Sequence, residues 1–149
     1  MRLEFSGAPD IPATREAVWA RLTDPDFIAA SAPGVERVEA VDPRHFRVTS
    51  GLGAGSMRLA IELDIELFDV VELRSLRMRA IGRGAGSNVD VLSDIGLEDN
   101  GRGGTTLRWS AATDVSGAIA SLGGRMVELT ARRLTEEFWS DFARRAGGV

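Results

Sequence analysis

The pattern of apolar and polar positions begins with one strand and two short helices. Residues 2–7 alternate apolar and polar side chains, which is the period of a half-buried β-strand. Residues 14–23 carry apolar side chains at helical spacing. Asp24 and Pro25 then supply an N-cap and a first-turn proline for a second short helix, which we expect to end at the Pro-Gly pair at 33–34.

The remainder of the chain predicts a series of strands followed by a long helix. Between residues 35 and 115 the apolar period is two, which indicates about six antiparallel strands. From residue 117 to residue 146 the period becomes helical, with Val127, Ala131, Leu134, Phe138 and Phe142 on one stripe. This order predicts an α+β fold in which a strongly curved sheet grips the last helix.

One predicted strand carries three alternating carboxylates, Glu62, Asp64 and Glu66, and the next strand carries arginines. Such a cluster could hold a metal ion or perform acid/base chemistry. We interpret it instead as a solvent-exposed face with ion pairs, because the arginines lie on the facing strand. Aligning apolar with apolar positions predicts Asp64 near Arg77 and Glu62 near Arg79.

The amino-acid composition excludes most mechanisms of covalent catalysis. The chain has no Cys, Lys, Tyr or Gln, so thiol nucleophiles, disulfides, Schiff bases and Cys-ligated zinc are excluded. We expect no metal site and no cofactor. The only histidine, His45, could act as a general base beside Asp42, but without a second His or an identified nucleophile we interpret it as a surface residue.

Length and charge indicate one soluble domain over residues 1–149, since 44% of the residues are apolar and 27% are charged. A net charge of −4 without an isolated basic block disfavours nucleic acid as a partner. We expect a cytoplasmic protein with no transmembrane segment, because no long apolar run and no signal-peptide pattern is present. The sequence leaves the oligomeric state open.

The residues on the inner faces of the predicted strands are equally consistent with a packed core and with a ligand cavity. Methionines, alanines and the polar residues Ser93 and Thr113 suit an adaptable cavity with a few polar anchors. The predicted lining consists of Phe27, Met57, Leu59, Ile61, Met78, Ala80, Val89, Val91, Trp109, Leu122 and Met126, with Ser93 as a polar anchor.

Two adjacent aromatic residues on the last helix, Phe138 and Trp139, cannot both face the core fully. One of them is therefore expected at the edge of the helix, at a pocket mouth or on a partner surface.

Two groups of residues give the whole chain a resemblance to a known family. The first comprises Phe5, Gly7, Ile11, Ala13, Val18-Trp19, Leu22, Asp24-Pro25 and Pro33-Gly34; the second comprises Gly104-Thr105, Leu107, Trp109, Gly117, Ala120, Leu122-Gly123, Arg125, Ala131, Phe138-Trp139 and Phe142. With these residues the sequence resembles the CoxG family of carbon monoxide dehydrogenase subunits, within the START and birch-pollen-allergen superfamily (SRPBCC).

The resemblance implies a helix-grip fold, in which an antiparallel sheet of six to seven strands wraps around the C-terminal helix and two short helices follow the first strand. It also implies a cavity for a hydrophobic small molecule of the lipid or quinone type. A further implication is an accessory role beside molybdenum-containing hydroxylases, in their assembly or membrane recruitment.

The leading hypothesis is thus a non-catalytic module that binds a hydrophobic ligand. One alternative is an enzyme, since some members of the superfamily are cyclases or dehydratases, and it requires His45, a carboxylate or an arginine inside the cavity. The other is a ligand-free interaction module with a closed core, in which Trp139 and the short helices form the partner surface.

Overall fold

A computed structural model describes residues 1–32, 34–54, 57–84 and 86–147, with side chains for all of these except 52–54 and 57–59. The strands are β1 (Arg2–Gly7), β2 (Asp10–Ile11), β3 (Val35–Asp42), β4 (His45–Ala54), β5 (Met57–Val71), β6 (Ser75–Gly84), β7 (Ser87–Asp99) and β8 (Thr105–Gly117). The helices are α1 (Arg15–Leu22), α2 (Pro25–Ala30), a 3₁₀ helix (Ala118–Leu122) and α3 (Gly124–Ala146).

All strands join one antiparallel sheet in the order β1-β8-β7-β6-β5-β4-β3, and the two-residue strand β2 pairs with β8. The helix α3 contacts β1 and β2 near one end of this order and β4 near the other. A single helix can touch both ends only because the sheet curves around it. The predicted α+β architecture, a curved sheet around a long C-terminal helix, is confirmed.

Local sequence signals place the helices. The Thr14 side chain accepts a hydrogen bond from the backbone N–H of Ala17, which caps α1, and the Asp24 side chain caps α2 immediately before Pro25. The predicted last helix is divided at Gly123, whose φ of 97° ends the 3₁₀ helix before α3 begins. No helix among the described residues combines the length and apolar character needed to cross a membrane.

The predicted pairing between β5 and β6 is wrong in register. Glu66 lies opposite Arg79, and Glu62 opposite Arg83. The partner of Glu62 is displaced by four residues from the predicted Arg79, so the hairpin turn lies further along the chain than the charge pattern indicated. Alternation fixes which side chains share a face, but a slip of an even number of residues preserves that face and remains undetected.

We predict that Gly117→Ala strongly destabilises the fold. Gly117 has a φ of 84° and a ψ of −151°, a conformation nearly restricted to glycine, and a β-carbon there would lie 2.2 Å from the carbonyl oxygen of Gly86. We expect the free energy of unfolding, measured by urea denaturation, to fall by about 2 kcal/mol or more. Gly101→Ala is the control, because Gly101 also has a positive φ but no atom of the described residues lies within 4 Å of its added carbon. Equal losses in the two variants would contradict this account.

Candidate functional site

A cavity of about 200 Å³ lies between the inner face of the sheet and α3. For scale, an engineered apolar cavity of about 150 Å³ binds benzene. The cavity can therefore hold a small ring system or an equivalent length of chain. Its walls are formed by Ala32, Ser50, Ile61, Leu63, Ile65, Met78, Ala80, Val89, Val91, Ser93, Ala111, Thr113, Val115, Ile119, Val127, Thr130, Ala131, Leu134, Thr135, Phe138 and Trp139.

The cavity separates the buried apolar residues into two clusters. The larger cluster contains Trp139 and Phe142 of α3 and most of the sheet core. The smaller cluster consists of Ile61, Val115, Ile119 and Val127. Both clusters contribute side chains to the cavity walls. The core is thus packed at both ends of α3, and the cavity lies where the helix passes from one cluster to the other.

Six of the residues predicted to bind ligand stand in these walls: Ile61, Met78, Ala80, Val89, Val91 and Ser93. Four do not, namely Phe27, Trp109, Leu122 and Met126. The side chains of Met57 and Leu59 lie outside the described residues. That any of these residues contacts a ligand stays a prediction.

Each of the four excluded residues has another environment. Trp109 stacks on Trp139, with ring centroids 5.8 Å apart and an interplanar angle of 18°, and thus lies behind the cavity wall. Phe27 packs edge-on against Phe142 in the aromatic part of the core. Leu122 packs against the smaller cluster, and Met126 is 42% exposed. The alternation of side chains correctly predicted that Trp109 faces the inside of the sheet. However, Trp109 lies on a part of β8 that is outside the cavity.

Arg145, in the last turn of α3, contacts the aromatic part of the core. Its guanidinium lies 4.3 Å from the centroid of the Phe27 ring, and its Nη1 donates a hydrogen bond of 3.0 Å to the Ser31 hydroxyl. A weaker bond of 3.4 Å reaches the Phe27 carbonyl oxygen. Through Arg145, the last turn of α3 is fixed to α2.

The ligand-site prediction missed the helical wall. Thr130, Ala131, Leu134, Thr135 and Phe138 face the cavity from α3. The helical stripe that predicted a buried face already contained Ala131, Leu134 and Phe138. The signal was therefore present in the sequence, but it could not separate residues that fill a core from residues that line a space.

Trp139 does not form an exposed partner surface, because it is only 4% exposed. Its ring is enclosed by Trp109, Phe138 and Phe142. Phe138 is the less buried of the adjacent pair and lines the cavity. The expectation that Trp139 contributes to a docking surface is therefore wrong.

Four hydroxyl groups in the cavity walls have no hydrogen-bond partner among the described residues: those of Ser50, Ser93, Thr113 and Thr130. All four residues are buried. The Ser50 oxygen is itself fully buried, and leaving such a hydroxyl unpaired costs about 1–3 kcal/mol relative to its hydration in water. In contrast, Thr135 satisfies its hydroxyl by donating to the carbonyl oxygen of Ala131 at 2.7 Å. The four free hydroxyls make the lining apolar with separate polar points.

The described cavity walls contain no Asp, Glu, Arg or His side chain. His45 lies on the outer face of the sheet, where its Nε2 contacts the Asp64 carboxylate, and its side chain is 30% exposed. Within the described parts of the chain, no three carboxylate or imidazole groups come together as metal ligands would. The described walls therefore offer hydrogen bonds and apolar contacts but no acid, base or counter-ion.

Charged residues occupy the outer face of the sheet instead. Arg77 Nε lies 2.7 Å from an Asp94 oxygen, and Arg79 Nη2 lies 2.7 Å from an Asp90 oxygen. The hydrogen bond and the negative charge of Asp90 raise the pKa of Arg79 above its ordinary value. The shortest ion pairs of Arg77 and Arg79 are thus with acidic residues of β7, and Arg77 Nη1 also lies 3.7 Å from an Asp69 oxygen of β5.

Comparison with known proteins agrees with this architecture. The family model for CoxG, a subunit of carbon monoxide dehydrogenase, matches residues 7–147. The sequence has no significant match among curated proteins.

Several solved structures share the fold. The chain is similar to a conserved protein from Geobacillus kaustophilus, with 22% identity, a TM-score of 0.86 and coverage of 97% of this chain and 95% of that chain. It is also similar to a START superfamily protein from Mycobacterium smegmatis, with 13% identity, a TM-score of 0.71 and 96% coverage of both chains. The ZhuI aromatase/cyclase from Streptomyces sp. R1128 has 13% identity and a TM-score of 0.70, with coverage of 98% and 94%. The expected helix-grip fold is confirmed.

Two buried serines provide a test of the unpaired hydroxyls. Ser50→Ala removes a hydroxyl that has no partner among the described residues, so we expect the free energy of unfolding to rise by about 1 kcal/mol. Ser87→Ala removes the hydroxyl that accepts a 2.9 Å hydrogen bond from the buried backbone N–H of Ile119, so we expect a loss of about 1–3 kcal/mol. Chemical denaturation of both variants measures the difference. A loss of stability in Ser50→Ala as large as that in Ser87→Ala would show that Ser50 has a structural partner.

Proposed function

Because the chain belongs to the CoxG family of carbon monoxide dehydrogenase subunits, we propose that it binds a hydrophobic small molecule of the lipid or quinone type between the sheet and α3. The observation that carries the proposal is the cavity, whose described walls are apolar apart from a few hydroxyls. Such a lining favours transfer of an apolar molecule from water and offers little to a charged one.

The size of the cavity constrains the ligand. Burying about 300 Å² of apolar ligand surface contributes about 7 kcal/mol at 25 cal/mol per Å². Association costs at least about 4 kcal/mol in lost translational and rotational freedom. A molecule that fills only the enclosed space therefore binds weakly. A ligand with additional apolar surface, such as a chain or further rings, gains the affinity that a carrier needs.

For the biological role, we propose a cytoplasmic accessory factor for a molybdenum-containing hydroxylase resembling carbon monoxide dehydrogenase, acting in its assembly or membrane recruitment. Family membership supports this proposal. An enzymatic role of the cyclase or dehydratase type has less support, because the described cavity walls lack a side chain that could transfer a proton near neutral pH.

Ligand binding is tested by filling the cavity. Ala80 faces it from β6, so Ala80→Phe is expected to occupy part of the space and to weaken ligand binding at least tenfold. The matched control is Ala112→Phe, because Ala112 lies on β8 but alternates with the wall residues Ala111 and Thr113 and thus points to the outer face. The measurement is titration of the purified proteins with quinones and fatty acids, together with analysis of organic-solvent extracts.

A saturable titration in the parent protein and in Ala112→Phe, but not in Ala80→Phe, is the expected result. If the parent protein neither binds these molecules nor releases a lipid on extraction, the proposal fails. Circular dichroism of the three proteins shows whether Ala80→Phe has retained the fold.

A further inference from the structure

We propose that the ligand is uncharged and carries a hydrogen-bonding oxygen, and that Ser93 and Thr113 hold this oxygen against the sheet. This inference rests on the proposed ligand-binding function and makes it more specific. It comes from the positions of the unpaired hydroxyls and from the absence of ionised groups in the described walls of the cavity.

Ser93 and Thr113 form one polar point on the inner face of the sheet. Ser93 of β7 lies opposite Ala111 of β8, and Thr113 lies opposite Val91. The two hydroxyl-bearing residues are therefore diagonal neighbours on the same face, at a spacing of about 7–8 Å between their α-carbons. An oxygen placed over Ala111 and Val91 comes within reach of both side chains.

The small side chain of Ala111 leaves this polar point accessible. Both Ser93 and Thr113 are buried and both line the cavity. Neither forms a side-chain hydrogen bond with another described residue. A ligand oxygen would therefore gain hydrogen bonds without displacing any that the described structure already makes.

A second polar point lies on β4, at a different part of the wall. The Ser50 hydroxyl has no partner among the described residues, and Ser50 pairs in register with the wall residue Ile61. β6 and β5 stand between β7 and β4 in the sheet. The two points are therefore three strand spacings apart, about 14 Å along the sheet, and one oxygen cannot contact both.

The same groups discriminate against charged ligands. A hydroxyl can donate or accept a hydrogen bond but carries no charge, so it cannot compensate a carboxylate transferred from water. No arginine or histidine stands in the described walls to do so. A carboxylate-bearing ligand must therefore leave its charged end in solvent, whereas an alcohol, ketone or quinone can enter completely.

Three bicyclic probes of similar size test this inference on the full chain. They are 2-methyl-1,4-naphthoquinone, 2-methylnaphthalene and 2-naphthoate, which respectively carry carbonyl oxygens, no oxygen and a carboxylate. Isothermal titration calorimetry gives their affinities for the parent protein, Ser93→Ala and Thr113→Val. The matched controls are Ser110→Ala and Thr49→Val, because these residues lie on the outer face of β8 and β4.

The parent protein is expected to bind the quinone about three- to tenfold more tightly than the hydrocarbon for each hydrogen bond formed, and 2-naphthoate most weakly. Ser93→Ala and Thr113→Val should reduce the preference for the quinone by the same factor, while retaining or improving affinity for 2-methylnaphthalene. Both control variants should match the parent protein.

Equal affinity of the parent protein for the quinone and the hydrocarbon would overturn this inference and leave the proposed hydrophobic binding intact. So would an unchanged preference in Ser93→Ala and Thr113→Val, which is expected if ordered water satisfies the hydroxyls. Binding of 2-naphthoate as tight as that of the quinone would overturn the requirement for an uncharged ligand. Failure of the parent protein to bind either neutral probe would overturn the proposed function and this inference with it.

Discussion

The position of α3 over the curved sheet depends on a layer of aromatic contacts near its C-terminal end. Trp139 stacks on Trp109 of β8 and meets Phe138 and Phe142 edge-on, and Phe142 in turn meets Phe27 of α2. These large rings set the distance between helix and sheet. Elsewhere along the gap, small side chains of the sheet, such as Ala80 of β6 and Ala111 of β8, face the helix and do not fill the space. The cavity is therefore a consequence of bulky packing at one end of α3 and small side chains on the sheet.

The sequence predicts the elements of this fold well because their signals are local. Asp24 and Pro25 start α2 through a cap and a fixed φ, and alternating side chains identify the strands. The β5–β6 register was mispredicted because it depends on the position of the turn, which lies between Val71 and Ser75. Alternation contains no information that distinguishes one even slip from another.

The candidate site was predictable in part for a related reason. The alternation of side chains along β8 correctly predicts that Trp109 and Thr113 face the inside of the sheet. It does not predict which of the two lines the cavity. The position of the cavity along β8 depends on where α3 crosses the strands, which is a property of the whole fold. Ser50 could not be identified from the sequence either. Its significance comes from the absence of a hydrogen-bond partner in the described structure, and composition does not reveal such an absence.

The division of the core into two clusters has a volumetric consequence. Hydrostatic pressure favours the state of smaller volume, and the internal space lost on unfolding contributes to that difference. A cavity between two otherwise well-packed clusters makes the volume change of unfolding depend on what occupies it. The pressure at which the chain unfolds therefore reports the occupancy of its interior, independently of any spectroscopic property of the occupant.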